Sequence, residues 1–137
     1  MKLYYAPGAC SLAPHIALAE AGIAAEVIRV DLKSHTLPDG TDYHAVNPKG
    51  YVPVLELDDG SRFTEVAVLL QIIADRKPGA LAPEVATIER YRLNEWLNFV
   101  ATGIRKGYGA PWPPAGGGDA AAAAPKRRGA RAGAGAT

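Results

Sequence analysis

Patterned hydrophobic sequence ends near residue 108, and that boundary limits what this 137-residue chain can fold into. From residue 109 to residue 137, 11 Ala, 7 Gly and 4 Pro make up 22 of 29 positions. Pro111, Pro113, Pro114 and the run Gly116-Gly117-Gly118 sustain neither helix nor strand. Five alanines and a basic Gly/Ala stretch follow. Such a low-complexity tail (108–137) buries no core and is expected to be disordered. The part left to fold, about 108 residues, is a comfortable domain size.

Within that part, residues 2–6 read as a short strand, Pro7-Gly8 as a turn, and 11–21 as an amphipathic helix that Gly22 stops. Pro14 is tolerated there because it falls in the first turn. Residues 26–31 form a second strand; a polar stretch leads to one helical turn at 43–46, a loop at 47–50 and a third strand at 52–57. Asp58-Asp59-Gly60 predicts a hairpin turn into a partner strand at 62–64. Thr64 is expected to cap a helix over 65–76 whose body is apolar nearly all round, and so buried on most faces. The order β-α-β-α-β-β-α predicts an α/β fold with a mixed four-stranded sheet. Leu93, Trp96, Leu97, Val100 and Ile104 then recur at three- and four-residue spacing, predicting a helix over about 85–106 with Glu89, Arg92 and Glu95 on its wet side.

Charge excludes some functions. The formal net charge is +1, and Lys126, Arg127, Arg128 and Arg131 in the tail supply more than that. The folded part is therefore slightly acidic and offers no footprint for nucleic acid. No apolar run reaches membrane-spanning length, and the N-terminus lacks a signal-peptide pattern. The single cysteine cannot form an internal disulfide and fits a reducing, cytoplasmic setting. No His/carboxylate set has metal spacing, so no metal is expected.

That cysteine, Cys10, stands at the turn between the first strand and the first helix. Amides that begin a helix are unpaired and carry partial positive charge. A thiolate placed against them is stabilised and becomes a usable nucleophile near neutral pH. The bland alternative is a small buried hydrophobe. Ser11 either caps the helix or donates a hydrogen bond to the sulfur, capping being the simpler reading.

Several motifs together resemble a bacterial glutathione S-transferase of the beta class, over about the first 107 residues. They are Met1-Lys2-Leu3-Tyr4-Tyr5 with Pro7-Gly8-Ala9-Cys10-Ser11, Asn47-Pro48-Lys49-Gly50-Tyr51-Val52-Pro53-Val54-Leu55, Thr64-Glu65, Tyr91-Arg92, Glu95-Trp96-Leu97-Asn98, and Lys106-Gly107. The resemblance implies a thioredoxin-like glutathione-binding domain at 1–77, the first helix of an all-α second domain at 84–107, and a homodimer. Past Lys106 the chain leaves the family pattern, which reads as a frameshift or premature divergence in a GC-rich gene and leaves the second domain incomplete.

The resemblance also implies roles. Glutathione would be substrate, alongside a small electrophile. Cys10 would face its sulfur, and a cis Val52-Pro53 bond would turn the Val52 backbone outward to pair with the tripeptide. Glu65 and Val66 would take the γ-glutamyl end, the amides its carboxylate and the Glu65 side chain its ammonium. His35 matches a lysine that contacts the glycyl carboxylate, or is simply a solvated loop histidine. Asn98, Arg105 and Lys106 match second-domain contacts, although relatives carry histidine where Arg105 stands. The implied activity is conjugation of glutathione to small electrophiles, a detoxifying reaction, with glutathione-disulfide exchange through Cys10. The alternatives are a non-catalytic glutathione-binding remnant and a glutaredoxin-like monothiol oxidoreductase.

Overall fold

The computed structural model describes residues 1–104. Four strands, β1 (Lys2–Tyr5), β2 (Glu26–Arg29), β3 (Val54–Glu56) and β4 (Arg62–Phe63), form one sheet in the order β2-β1-β3-β4. β1 and β2 run parallel, joined by α1 (Leu12–Ala21); β3 is antiparallel to β1, and β4 to β3. Helix α2 (Val66–Asp75) follows the hairpin. This is the mixed, thioredoxin-like arrangement expected, and its second helical element is a single 3₁₀ turn at Tyr43–Ala45.

The pleat sorts the core into two halves. Leu3 pairs with Leu55 and Tyr4 with Val54 across β1 and β3. Successive residues of a strand point to opposite faces. Leu3 and Leu55 therefore pack with Ala17, Leu18 and Ala21 of α1 and Leu69 and Ile73 of α2. Tyr4 and Val54 pack on the other face with Val30 and Tyr43. The second cluster anchors the long loop between β2 and β3, from which part of the site is built.

Several boundaries differ from the sequence reading. The third strand opens at Val54, two residues past the expected start, because Pro53 offers the ladder no donor; the Val52-Pro53 bond is cis. Thr64 does not cap α2: Glu65 holds that position with φ 70° and ψ 118°, and no side chain caps the helix. Only Leu69, Ile73 and Ala74 of α2 are buried, and Val68 is exposed, so one face and not most of the helix meets the core. The next helix, α3, spans Ile88–Phe99, shorter than the expected 85–106. Thr87 caps it by accepting from the Arg90 amide, and after Phe99 the backbone loosens into a π turn at Val100–Ile104. The basic tail lies outside the described residues. No described helix is long and apolar enough to cross a membrane.

Candidate functional site

Cys10 is half-buried in the turn that joins β1 to α1. The turn winds up before the helix begins. Ala9 N–H donates to Ala6 O (3.2 Å), Leu12 N–H to Ala9 O (3.1 Å), and Ala13 N–H to Cys10 O (3.3 Å). The Leu12 and Ala13 amides, expected to be open at the helix start, are thus already paired. Next to the start of α1, the amides of Cys10 and Ser11 have no backbone acceptor among the described residues.

Ser11 neither caps α1 nor reaches the sulfur. Its fully buried hydroxyl donates to Ala6 O and accepts from Ala6 N–H, both at 3.1 Å. The side chain clips the base of the turn shut, leaving Cys10 at its tip. From there the Cys10 thiol donates to the carbonyl of Val52 at 3.6 Å.

The Val52 side of the site is held by buried polar groups. The Tyr51 carbonyl accepts from the Tyr43 hydroxyl (2.9 Å) and from Asn47 Nδ2 (2.8 Å). Asn47 is buried, and its own oxygens accept from the Lys49 amide (3.2 Å) and the Gly50 amide (2.8 Å). Burial pushes the Tyr43 phenol well above its usual range, so it stays a neutral donor. Two donors on one carbonyl fix the peptide that precedes Val52.

The third wall is the start of α2. Glu65 is exposed and sits in a backbone region that side chains rarely adopt, φ 70°. Its carbonyl accepts from the Val68 and Leu69 amides, both at 3.0 Å. The amides of Val66 and Ala67 open the helix with no backbone acceptor among the described residues. Cys10, Val52, Pro53, Glu65 and Val66 line one cavity of about 90 Å³, together with Asn47, Lys49, Tyr51 and Thr64.

Other expected contacts lie elsewhere. The His35 ring packs 4.6 Å from that of His44, and its Nδ1 is buried without a partner. Asn98 is exposed on α3 and donates to its own helix at Asn94 O (2.9 Å). Neither lines the cavity. Arg105 and Lys106 lie outside the described residues. Conversely, Asn47, Lys49, Tyr51 and Thr64 were not singled out as site residues. The signal for Asn47, Lys49 and Tyr51 is the turn-forming Asn-Pro-Lys-Gly run before Val52-Pro53, and that for Thr64 is its place beside Glu65.

A larger cleft of about 390 Å³ lies between α1, α2 and α3, lined by Ile16, Leu70, Leu93 and Leu97 among others. It is almost wholly apolar and holds no nucleophile, so the chemistry belongs to the smaller cavity. Among the described residues no group of three or more His, Cys, Asp or Glu side chains is placed to hold a metal ion.

Residues 8–76 match the family model for the glutathione S-transferase N-terminal domain. Glutathione S-transferase GstA of Escherichia coli O157:H7 is 52% identical over 110 residues, covering 79% of this chain and 54% of that relative. The beta-class glutathione S-transferase of Sphingomonas chungbukensis superposes with a TM-score of 0.81 at 48% identity, over 87% of this chain and 59% of that one. A sphingomonad glutathione S-transferase solved in complex with glutathione gives 0.81 at 44% identity, over 90% and 62%. The chain spans about half the length of the curated relatives it matches.

Proposed function

Because the chain belongs to the glutathione S-transferase family, in its bacterial beta class, we propose that the Cys10 cavity binds glutathione and that the protein is a glutathione transferase acting through it. The observation that carries this reading is the meeting of three features in one cavity. They are a free thiol 3.6 Å from the Val52 carbonyl, the Val52-Pro53 peptide itself, and the start of α2 at Glu65-Val66, where the Val66 amide is open. Each suits one part of the tripeptide. The Val66 and Ala67 amides suit the γ-glutamyl carboxylate, the Glu65 carboxylate suits the ammonium, and the Val52 backbone suits the cysteinyl amide. That a relative of this chain was solved with glutathione bound supports glutathione as the ligand.

Two reactions follow. In disulfide exchange the Cys10 thiolate attacks the glutathione sulfur of a small mixed disulfide. A new S–S bond forms to Cys10, the old one breaks, and the small thiol leaves as its thiolate, taking a proton from water. A glutathione thiolate then attacks the glutathione sulfur held on Cys10, which releases oxidised glutathione and restores Cys10. In conjugation the bound glutathione thiolate attacks an electrophilic carbon, and on an aryl chloride the C–S bond forms as chloride departs. Exchange needs only groups at 10–66, whereas conjugation also needs a site for the electrophile. The observation that every wall of the cavity comes from residues 10–66 therefore favours the monothiol, glutaredoxin-like reaction as a second reading.

Domain roles belong to the same proposal: residues 1–77 bind glutathione, 84–107 begin a helical domain, and the working protein is a cytoplasmic, detoxifying homodimer. Asn98, Arg105 and Lys106 would serve the site from that second part, and Ser11 would serve it by holding the turn. The test is intact mass after incubation with oxidised glutathione, beside turnover of an aromatic chloride and of a small mixed disulfide. One glutathione added to the wild type and none to Cys10→Ala is expected. A wild-type chain that stays unmodified while melting cooperatively would indicate a non-catalytic remnant.

A further inference from the structure

We propose that Lys49 selects the glycyl end of glutathione, in the place the family pattern gives to position 35. The inference rests on glutathione being the ligand of the Cys10 cavity. At neutral pH the tripeptide carries two carboxylates and one ammonium. The charged side chains lining the cavity, among the described residues, are Glu65 and Lys49. Glu65 complements the ammonium alone. The ammonium shares a carbon with the γ-glutamyl carboxylate, so that carboxylate lies on the Glu65 side, where the Val66 and Ala67 amides are open. The glycyl carboxylate, at the far end of the peptide, is left to the segment that precedes Val52.

Lys49 is the cation on that segment, and the backbone there is built to present it. Its amide is fastened to Asn47 Oδ1 (3.2 Å), the next amide to Asn47 O (2.8 Å), and Asn47 is buried. The side chain is exposed and forms no ion pair among the described residues, so its charge reaches a ligand without breaking another contact. His35 is committed elsewhere. Its ring fills the space beside Gly50, where even a methyl carbon would come within 2.9 Å of it, and its Nδ1 is sealed from solvent.

The test is calorimetric titration of the whole, reduced chain with glutathione and with γ-glutamylcysteine, which lacks the glycyl carboxylate. The wild type is expected to prefer glutathione, and added salt to shrink the preference. Lys49→Met should weaken glutathione binding about three- to tenfold, leave γ-glutamylcysteine unchanged, and erase the preference, as loss of a partly exposed charge pair predicts. His35→Ala should keep the preference. Equal weakening of both ligands by Lys49→Met, or a preference lost in His35→Ala instead, overturns the proposal. Titrating the wild type with the glycyl ethyl ester of glutathione needs no variant, and an ester bound as tightly as glutathione overturns it too. A wild type that binds none of these ligands refutes the glutathione reading of the cavity itself, a result distinct from loss of selectivity.

Discussion

The hydroxyl of Ser11 bonds to both backbone polar groups of Ala6, donating to its carbonyl and accepting from its amide, each at 3.1 Å. The two residues bracket the turn that carries Cys10, and both are buried. Ser11→Ala leaves the Ala6 amide without its acceptor in a place water does not reach. Orphaning such a donor costs about 1–3 kcal/mol. A lower urea midpoint at unchanged m-value is expected, with faster reaction of Cys10 towards a bulky disulfide as the turn opens. A midpoint equal to wild type would mean that the clip holds nothing.

Gly50 has φ 68°, and a Cβ there would lie 2.9 Å from His35 Cε1 and Nδ1 and 3.0 Å from His44 Nε2. Gly60 has φ 83° with nothing within 4 Å of its Cβ position. Gly60→Ala therefore meets backbone strain alone, about 1–2 kcal/mol. Gly50→Ala meets the same strain and must also displace two imidazoles. The difference between the two melting shifts isolates that packing, and Gly50→Ala is expected to be the more damaging. Equal shifts would show that both rings move aside freely.

Much of this fold was legible because its signals are local. Gly22 ends α1 in the left-handed conformation, donating to Ala19 O, and the Gly60 turn returns β3 to β4. The site was legible as motifs but not as geometry. Ser11 occupies a capping position, and its hydroxyl could satisfy either the helix or the strand end. Only the approach of Ala6, five residues away, decides for the strand. Glu65 displaces Thr64 as the residue before α2 through a positive φ, which no side-chain preference announces. Lys49 lies in a run that reads as loop, and its place on the cavity comes from Asn47 folding that loop back on the Val52 peptide. The periodicity of α3 marks Glu89, Arg92 and Glu95 as its wet side and gives no sign that Arg90 is the charged side chain that is buried.

Arg90 joins three pieces of chain. Nη2 donates to Asp75 Oδ1 at the end of α2 (2.6 Å), Nη1 to the Pro83 carbonyl (2.9 Å), and the residue itself lies in the first turn of α3. Arg90→Leu removes both bonds and leaves the Pro83 carbonyl unpaired. Asp75 is half-exposed and regains water, so the loss is about 1–3 kcal/mol, below that of a fully buried pair. Hydrogen exchange distinguishes a local from a global effect. Amides of α3 should lose protection while those of β1 and β3 keep theirs. Loss of protection in all of them together would mean that α3 is part of the same cooperative unit as the sheet.

Glu56 gives the fold a dependence on acid. Its carboxylate accepts from Arg62 Nε (2.7 Å) and lies 3.4 Å from Lys2 Nζ, tying β3 to both neighbouring strands. The bond from Arg62, and after it that from Lys2, holds the carboxyl below its ordinary range against the cost of burial. A group that ionises more readily folded than unfolded binds fewer protons in the native state, so its contribution is complete above the unfolded value, near pH 4.5. That contribution fades as the pH falls from there through the lower, folded value. Arg62 is partly exposed, so screening limits the interaction to about 1 kcal/mol. Glu56→Gln should therefore lower stability by about that amount at pH 7 and be close to neutral at pH 3. Denaturant midpoints of both proteins across this range check it, and a deficit that persists undiminished in acid would assign the loss to packing instead of charge.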